Sequence, residues 1–541
     1  MTPRHLKPAL RPMAAAAALA SAAGSALAFT IETDVPDLRL QWDTTVKYST
    51  AARLKQRSSV LTANPNLDDG DRNFDKGLIS NRLDLLTEAD VRWRNWGARV
   101  SGAAWNDSTY LGDSDNNSPS TSNVTSRPHP DFAEGTRKLH GRQGELLDAF
   151  VYGKFELADS ANLTMRAGRH TLQWGESLFF GSNAIAGGMA PVDVVKALSV
   201  PNTPFKELLR PVGQVSGQLQ LGSNLALGAY AQYRWEPTRL PGTGSYFSVA
   251  DPTPSDGEAF LLGPGPAARH AADVRARNVG QGGVQLRWRP EGLETDLGFY
   301  AIRYHDKTPQ QFVTAVPLPP GAPAPFMPVD YYFKYPEGIN AFGVSATRSM
   351  GVHNVAAEVS VRTNAPLVSS GSVNVPALGV SHSYARGTTW HANFNTLSSL
   401  GPSFIAREAS LLGEIALNYT QSVKENAESV DPNTRRWGAA LRVVYEPMFR
   451  QVRDGLDISV PIGLGYTPQG RSSAGDSLGP HRGGDVSIGV SGTYLDVWRF
   501  SLNFTHYFGP EGTYLDSANH QTFKQTLKDR DFVSLSLRRT F

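Results

Sequence analysis

Residues 38–48 read LRLQWDTTVKY, with Leu38, Leu40, Trp42, Thr44, Val46 and Tyr48 alternating with Arg39, Gln41, Asp43, Thr45 and Lys47. Successive side chains of an extended chain point to opposite faces, so this stretch sets an apolar face back to back with a polar one. About ten residues is the length a tilted strand needs to cross the hydrocarbon of a bilayer. The rhythm returns at 83–93, where Leu83, Leu85, Ala89, Val91 and Trp93 oppose Asp84, Glu88, Asp90 and Arg92, and again at 214–221, 437–445 and 456–466. A soluble half-buried strand looks the same in isolation. A long series with charges repeatedly on the polar face points to a membrane barrel.

Connections supply the second signal. Asn95, 222–224 and 495–497 mark tight turns, whereas 106–143, 236–278, 306–338 and 364–385 are long and rich in Gly, Pro, Asp or Ser. Short periplasmic turns and long outer loops are the asymmetry of outer-membrane barrels. Parity then asks for one further strand at 387–396, where Trp390, Ala392 and Phe394 alternate with Thr389, His391, Asn393 and Asn395. The expected fold class is all-β: a transmembrane antiparallel β-barrel of about 18 strands, with about 16 as the alternative, both termini periplasmic and a long apolar segment inserted in the lumen. Trp93, Trp96, Trp498, Trp235, Trp288 and Tyr507 are read as interfacial girdles. The last strand carries Val533, Leu535, Leu537, Arg539 and the terminal Phe541, with Arg539 expected to snorkel.

Composition agrees. The chain has 541 residues, a formal net charge of +2, 40% hydrophobic residues and no Cys. That balance names no nucleic-acid partner, and the missing thiols exclude disulfides, lipoprotein acylation and thiolate metal sites. Nowhere is there an apolar run of about 18 residues, so helical spans are not expected. Residues 1–28 read as a signal peptide: Arg4, Lys7 and Arg11, an apolar core at 14–20, and Ala26-Leu27-Ala28 as the cleavage site. Residues 29–541 are then one barrel in the outer membrane, with a strand pattern starting too early for an N-terminal plug.

One stretch breaks the alternation. Residues 174–212, WGESLFFGSNAIAGGMAPVDVVKALSVPNTPFKELLRPV, are apolar and rich in Gly and Pro where a solvent loop would be polar. Exposed to water, such a surface needs a partner. Folded into the barrel it would narrow and line the pore, with short helices at 193–198 and 205–209 starting near prolines. Bracing of the wall is the plain reading and an apolar constriction the functional one. The candidate path residues are Trp174, Glu176, Leu178, Phe179, Phe180, Pro191, Asp193, Phe205, Glu207 and Arg210.

The remaining polar clusters suggest less. Arg82, Asp84, Glu88, Asp90 and Arg92 are expected to line the lumen and brace one another. Asp69, Asp71, Asn73 and Asp75 in DDGDRNFD have calcium-loop spacing, but Phe74 stands where the turn Gly belongs and no Glu closes the loop; an exposed polar loop is the expectation. His170 and Glu176 could suggest an acid–base pair, yet no nucleophile elbow or phosphate loop is present, so neither catalysis nor a cofactor is expected.

RAGRHTLQWGESLFFGSNAIAGGMAPVDVVKALSVPNTPFKELLRPVGQVSGQLQL (166–221), YPEGINAFGVSATRSMGVHNVAAEVSVRTNAPL from Tyr335 and NLDDGDRNFDKGLISNRL from Asn66 resemble the blocks of a proteobacterial outer-membrane family catalogued as a domain of unknown function. The resemblance implies uptake or export of hydrophobic compounds, because a relative is linked to alkane uptake. It also implies work with a periplasmic lipid-carrier-like protein and an inner-membrane exporter. Its motif residues fall on Trp174, Gly175, Glu176, Pro191, Asp193, Pro204, Glu207, Arg210 and Pro211. The resulting expectation is a monomeric barrel in outer-membrane lipid that moves alkane-, lipid- or sterol-like molecules. A water-filled porin for small polar solutes and a structural or adhesive barrel are the alternatives.

Overall fold

The computed structural model describes residues 29–31, 35–254, 256–263, 267–322, 325–475 and 477–541. The signal segment 1–28 and its cleavage site lie outside the described residues. Strands β1 (Leu38–Arg53), β2 (Gly77–Trp93), β3 (Trp96–Asp107), β4 (Arg142–Ala158), β5 (Ala161–His170) and β6 (Val212–Leu221) pair in order. They continue as β7 (Leu225–Gln232), β8 (Gln281–Trp288), β9 (Thr295–Tyr304), β10 (Ile339–Met350), β11 (His353–Pro366) and β12 (Arg386–Leu400). Then come β13 (Glu408–Glu425), β14 (Trp437–Arg453), β15 (Leu456–Ser459 with Ile462–Gln469), β16 (Gly483–Tyr494), β17 (Trp498–Phe508) and β18 (Phe532–Thr540). β18 returns to β1, from Thr45↔Thr540 to Arg53↔Phe532, and closes the sheet. The short stretch Phe29–Ile31 pairs with β1 beyond the end of β18, and Pro461, which has no N–H to give, splits β15. The barrel therefore has eighteen antiparallel strands.

The alternation sorts as the hydrocarbon requires. Outward-facing Val100 and Phe342 each keep 51% of their surface, and Ile415 49%, whereas on the inward face Ala341 keeps 1%. An apolar outer wall on a closed barrel is the outer-membrane solution: no sheet edge is left for lipid to meet. Trp93, Trp96, Trp288 and Tyr494 belt the short-turn end, and Trp390, Tyr419 and Trp437 the loop end. Trp235 and Tyr507, read from sequence as girdle residues, are instead buried: Trp235 lies edge-on to Tyr335, and Tyr507 sits in an aromatic cluster under the loops. Arg539 stays on the outer wall, its guanidinium over the Trp498 and Phe541 rings at 5.0 and 4.5 Å.

All short turns lie at one end and all long connections at the other. At 495–497 the hairpin is held by Leu495 and Asp496, both in the left-handed region (φ 51° and 57°), the geometry whose twist matches the strands it joins. At the loop end, the connections 233–280, 305–338 and 367–385 build a second, six-stranded sheet. The segment 54–76 meets its edge strand Ala259–Leu261 through Asn66, which donates to Leu261 O at 2.9 Å and accepts from Leu261 N at 2.7 Å.

The DDGDRNFD stretch is not an exposed loop. Asp69–Arg72 forms one helical turn, and Asp68, Asp69 and Asp71 are fully buried. The candidate calcium residues turn to partners elsewhere in the chain, Asp69 and Asn73 sharing Asn116. Asp71 takes Arg53 at 2.8 Å and Arg530 at 3.3 Å; Asp69 accepts from Asn123 N and Asn116; Asn73 donates to Gly244 O at 2.8 Å; Asp75 pairs with Arg57 at 3.0 Å. Arg53 also holds Asp529 at 2.7 Å, which ties the last loop to the first. Alternating acidic spacing looked like a metal loop because the arginines that answer it are distant in sequence. Burial raises Asp69 to about 7 and, with Asp71 nearby, Asp529 to about 6. Burial alone would raise Asp71 as well, but Arg530 and Arg53 hold it below the usual carboxylate range.

Candidate functional site

Residues 171–211 leave β5 at the loop end and turn inward. Gly and Pro break any continuing strand, and local hydrogen bonds provide what regular structure there is. Asp193 caps the helix Val194–Ser199 by accepting from Lys196 N at 3.0 Å, and Pro204 leads into a single turn at Phe205–Glu207. Both sit where the sequence places short helices.

The first half of the segment is packed against the wall of β7 to β11. Trp174, Ile185 and Met189 form one buried cluster with Tyr230, Tyr300, Ile302, Tyr304 and Ile339. Trp174 meets Tyr230 edge-on at 5.0 Å, a contact worth about 0.5–1.5 kcal/mol beyond burial. Two glutamates of the barrel wall bind the backbone itself. Glu414 on β13 accepts from Ser177 Oγ at 2.8 Å, Leu178 N at 3.2 Å, Phe179 N, Phe180 N at 2.9 Å and Asn393 Nδ2 at 2.8 Å. Glu358 on β11 accepts from Glu176 N at 2.9 Å and Ile185 N at 2.6 Å. Gly175 (φ 86°) lies so close that a β-carbon would run into the Glu358 carboxylate. Arg362 donates to Ser182 O and Ala184 O, Lys307 to Gly188 O, and Asn183 joins His391, Asn393 and Asn418. Lys307 lies in an outer loop, and burial lowers it to about 8.

The second half crosses the lumen. Asp193 pairs with Arg239 at 2.9 Å, and Arg239 and Arg210 share Glu145 of β4, the latter at 3.0 Å. Asn202 donates to Ser487 on β16 at 2.8 Å and accepts from Arg442 on β14 at 3.0 Å. Leu198 packs against the aromatic cluster of Phe74, Tyr110 and Tyr246 beneath the outer loops. Phe205 N donates to Leu178 O at 2.7 Å and joins the two halves.

The proposed path residues therefore divide. Trp174 (5% exposed) and Phe205 (2%) are packed away with Pro191 and line no path. Leu178, Phe179 and Phe180 are half-buried; Phe180 faces Ala416, Ala440 and Leu478. Asp193 and Arg210 are anchors, Glu176 pairs with Arg287 at 3.3 Å, and only Glu207 stands open, loosely paired with Lys196 at 4.0 Å. His170 bonds Ser216 and Gly168 O and makes no pair with Glu176. The lumen charges brace one another: Arg82 pairs with Asp84 at 2.7 Å, Arg99 with Glu88, while Tyr152 bridges Arg92 and Asp90 at 3.4 Å on each side. With Asp148 and Lys154 some of them line a polar cavity of about 360 Å³. Sequence reading missed Glu358, Glu414, Arg362 and Arg442. Their signal was there: charges on the inward face of strands whose outward face is apolar, Glu358 with Arg362 on β11, Arg442 with Glu446 on β14 and Glu414 alone in the core of β13.

Residues 9–541 match the family described as Protein of unknown function (DUF1302). The chain belongs to that family. In sequence it matches none of the curated proteins. In shape it is similar to Acinetobacter baumannii OccAB4 (10% identity, 93% of this chain and 98% of that chain covered, TM-score 0.43). It is also similar to Pseudomonas aeruginosa OccK9 (OpdG) (11%, 93% and 98%, 0.42). Pseudomonas aeruginosa OpdK, solved with vanillate, aligns at 10% identity over 93% and 98% with a TM-score of 0.38.

Proposed function

We propose that this outer-membrane barrel is a passive conduit for hydrophobic small molecules, alkane-, lipid- or sterol-like, and that residues 171–211 form its fixed constriction. One observation carries the reading: the segment is tethered to opposite walls, by Glu358 on β11 and Glu414 on β13 on one side and by Arg210 to Glu145 on β4, nine strands from β13, on the other. A strap so held narrows the lumen permanently and keeps half-buried Leu178, Phe179, Val194 and Val195 within it. Apolar side chains in a narrowed lumen favour apolar solutes and disfavour hydrated ions. Driving force comes from concentration or from a periplasmic lipid-carrier acceptor at the short-turn end.

The water-filled porin keeps a place because the wall facing the strap is polar, with Ser487, Ser501, Asn503, Ser534 and Ser536 on its inward face. Uptake of a fluorescent long-chain hydrocarbon into cells, measured beside single-channel conductance of the purified barrel, tests the choice. The combined Leu178→Ser and Phe179→Ser variant is expected to lose hydrocarbon uptake with conductance little changed. Large steady conductance in the parent, and uptake indifferent to the substitutions, would sink the hydrophobic reading and leave the porin.

A further inference from the structure

The strap's open face looks onto an unusual part of the wall. Arg499 on β17, Arg538 on β18 and Lys47 on β1 are direct cross-strand neighbours, Arg499↔Arg538 and Arg538↔Lys47, all on the inward face. Like charges placed directly opposite in a sheet repel, and proteins ordinarily avoid or neutralise them. Here no carboxylate lies within ion-pairing distance of any of the three among the described residues. Asp84, next along the row from Lys47, is engaged by Arg82 at 2.7 Å. Arg499 is exposed, and Lys47 and Arg538 are half-buried. From the strap, Lys196 approaches Lys47, and Glu207 approaches Arg538 without closing on it. The row is flanked on the same face by hydroxyls: Ser501 with Ser536 at 2.8 Å and Thr45 with Thr540 at 2.9 Å.

We propose that Arg499, Arg538 and Lys47 form a binding site for the anionic head of an amphipathic solute, a carboxylate carried on a hydrophobic body. The proposal rests on the conduit reading and narrows its substrate class. Two adjacent guanidiniums offer the planar forks that hold a carboxylate by paired hydrogen bonds, and a lysine adds a compact charge. The neighbouring hydroxyls complete a polar ring for the head. The half-buried Val194 and Val195, next to Lys196 on the strap, receive the body. An inorganic anion would use the row alone; an amphipathic one would use the row and these apolar side chains together.

Equilibrium dialysis of the detergent-solubilised full chain, against matched empty micelles, tests this with 4-butylbenzoate and its uncharged counterpart 4-butylbenzyl alcohol. The carboxylate is expected to bind the more tightly, and the Arg499→Gln, Arg538→Gln double variant to weaken it about ten-fold while the alcohol is unaffected. Arg499→Lys, Arg538→Lys should restore most of the affinity, which a misfolded wall would not. Equal binding of acid and alcohol, or a double variant that binds as the parent does, would overturn the site. Displacement by sulfate as effective as by 4-butylbenzoate would reduce it to a plain anion site and overturn the amphipathic assignment. Because dialysis reads binding without transport, binding with no hydrocarbon or carboxylate uptake in cells would keep this site and remove the conduit.

Discussion

The two halves of the lumen strap use similar residues to opposite ends. From 174 to 189 the backbone is hydrogen-bonded to charged groups of the wall and Trp174, Ile185 and Met189 are buried, so what is left for a solute to touch is the half-buried Leu178, Phe179 and Phe180. From 192 to 210 the contacts are fewer and mostly between side chains, and Val200, Lys206 and Glu207 remain exposed. A wall-anchored half fixes position, and a sparsely anchored half presents a surface. Hydrophobic sequence in a lumen is therefore no guide by itself to a hydrophobic path; what matters is which side chains the packing leaves uncovered.

The sharpest way to break this contrast is to cut the stronger anchor. Glu414→Ala leaves the amides of residues 178–180 and the Ser177 hydroxyl without their acceptor, and each buried donor so left costs about 1–3 kcal/mol. Urea unfolding followed by tryptophan fluorescence should show that loss, with larger and noisier conductance as the first half comes free. Gly175→Ala is expected to cost about 1–3 kcal/mol by the same assay, from the clash with Glu358 and the left-handed backbone. Equivalent stability in either variant would mean that the first half is not anchored as described.

The second half rests on the outer cap through Leu198, so acidity should reach it and not the first half. Asp69 titrates at about 7 in the cap, against an unfolded value of about 3.9. Its neutral form is the one the buried site prefers. The stability it contributes is thus complete below the unfolded value and lost as pH rises through 7. Asp529, at about 6, acts in the same direction. Asp71, held low by its arginines, contributes in the opposite sense, complete above the unfolded value and lost as pH falls through its lower folded value. Between about pH 4 and 7, from the unfolded value to the higher folded one, the cap should loosen with rising pH and change little above that. Cleavage of residues 54–76 by a protease, compared at each pH with Asp69→Asn, checks this: the variant should flatten the trend. The smallest effect belongs to the lumen wall away from the strap. Arg82→Ala removes a part-exposed pair with Asp84 and should change stability by about 1 kcal/mol or less in the same urea assay.

Much of this was legible in advance for physical reasons that differ by element. Strand β12 was found at 387–396 because an inward His391, Asn393 and Asn395 must alternate with an outward Trp390 and Phe394 if one face meets lipid. The strap was found because its composition suits neither water nor a strand, and its helix at Val194–Ser199 because Asp193 is a local cap. Trp235 and Tyr507 misled because an aromatic residue near a strand end serves a girdle and a loop core equally well. The aspartates of DDGDRNFD misled for a related reason: spacing shows that carboxylates share a site, not what cation answers them.

By itself, the sequence determined the barrel, a strand number of about 18 or about 16, the asymmetry of its two ends and the presence of an apolar lumen segment. All of these follow from period-two alternation and local turn chemistry, which act over a few residues. Only the tertiary structure decided that Glu358 and Glu414 hold the strap, that Arg53 and Arg530 neutralise Asp71, and that Lys47, Arg538 and Arg499 stand side by side. Those outcomes depend on register between strands far apart in the chain, as when β1 meets β18, and closure of the sheet brings such residues together without any local signal in the residues themselves.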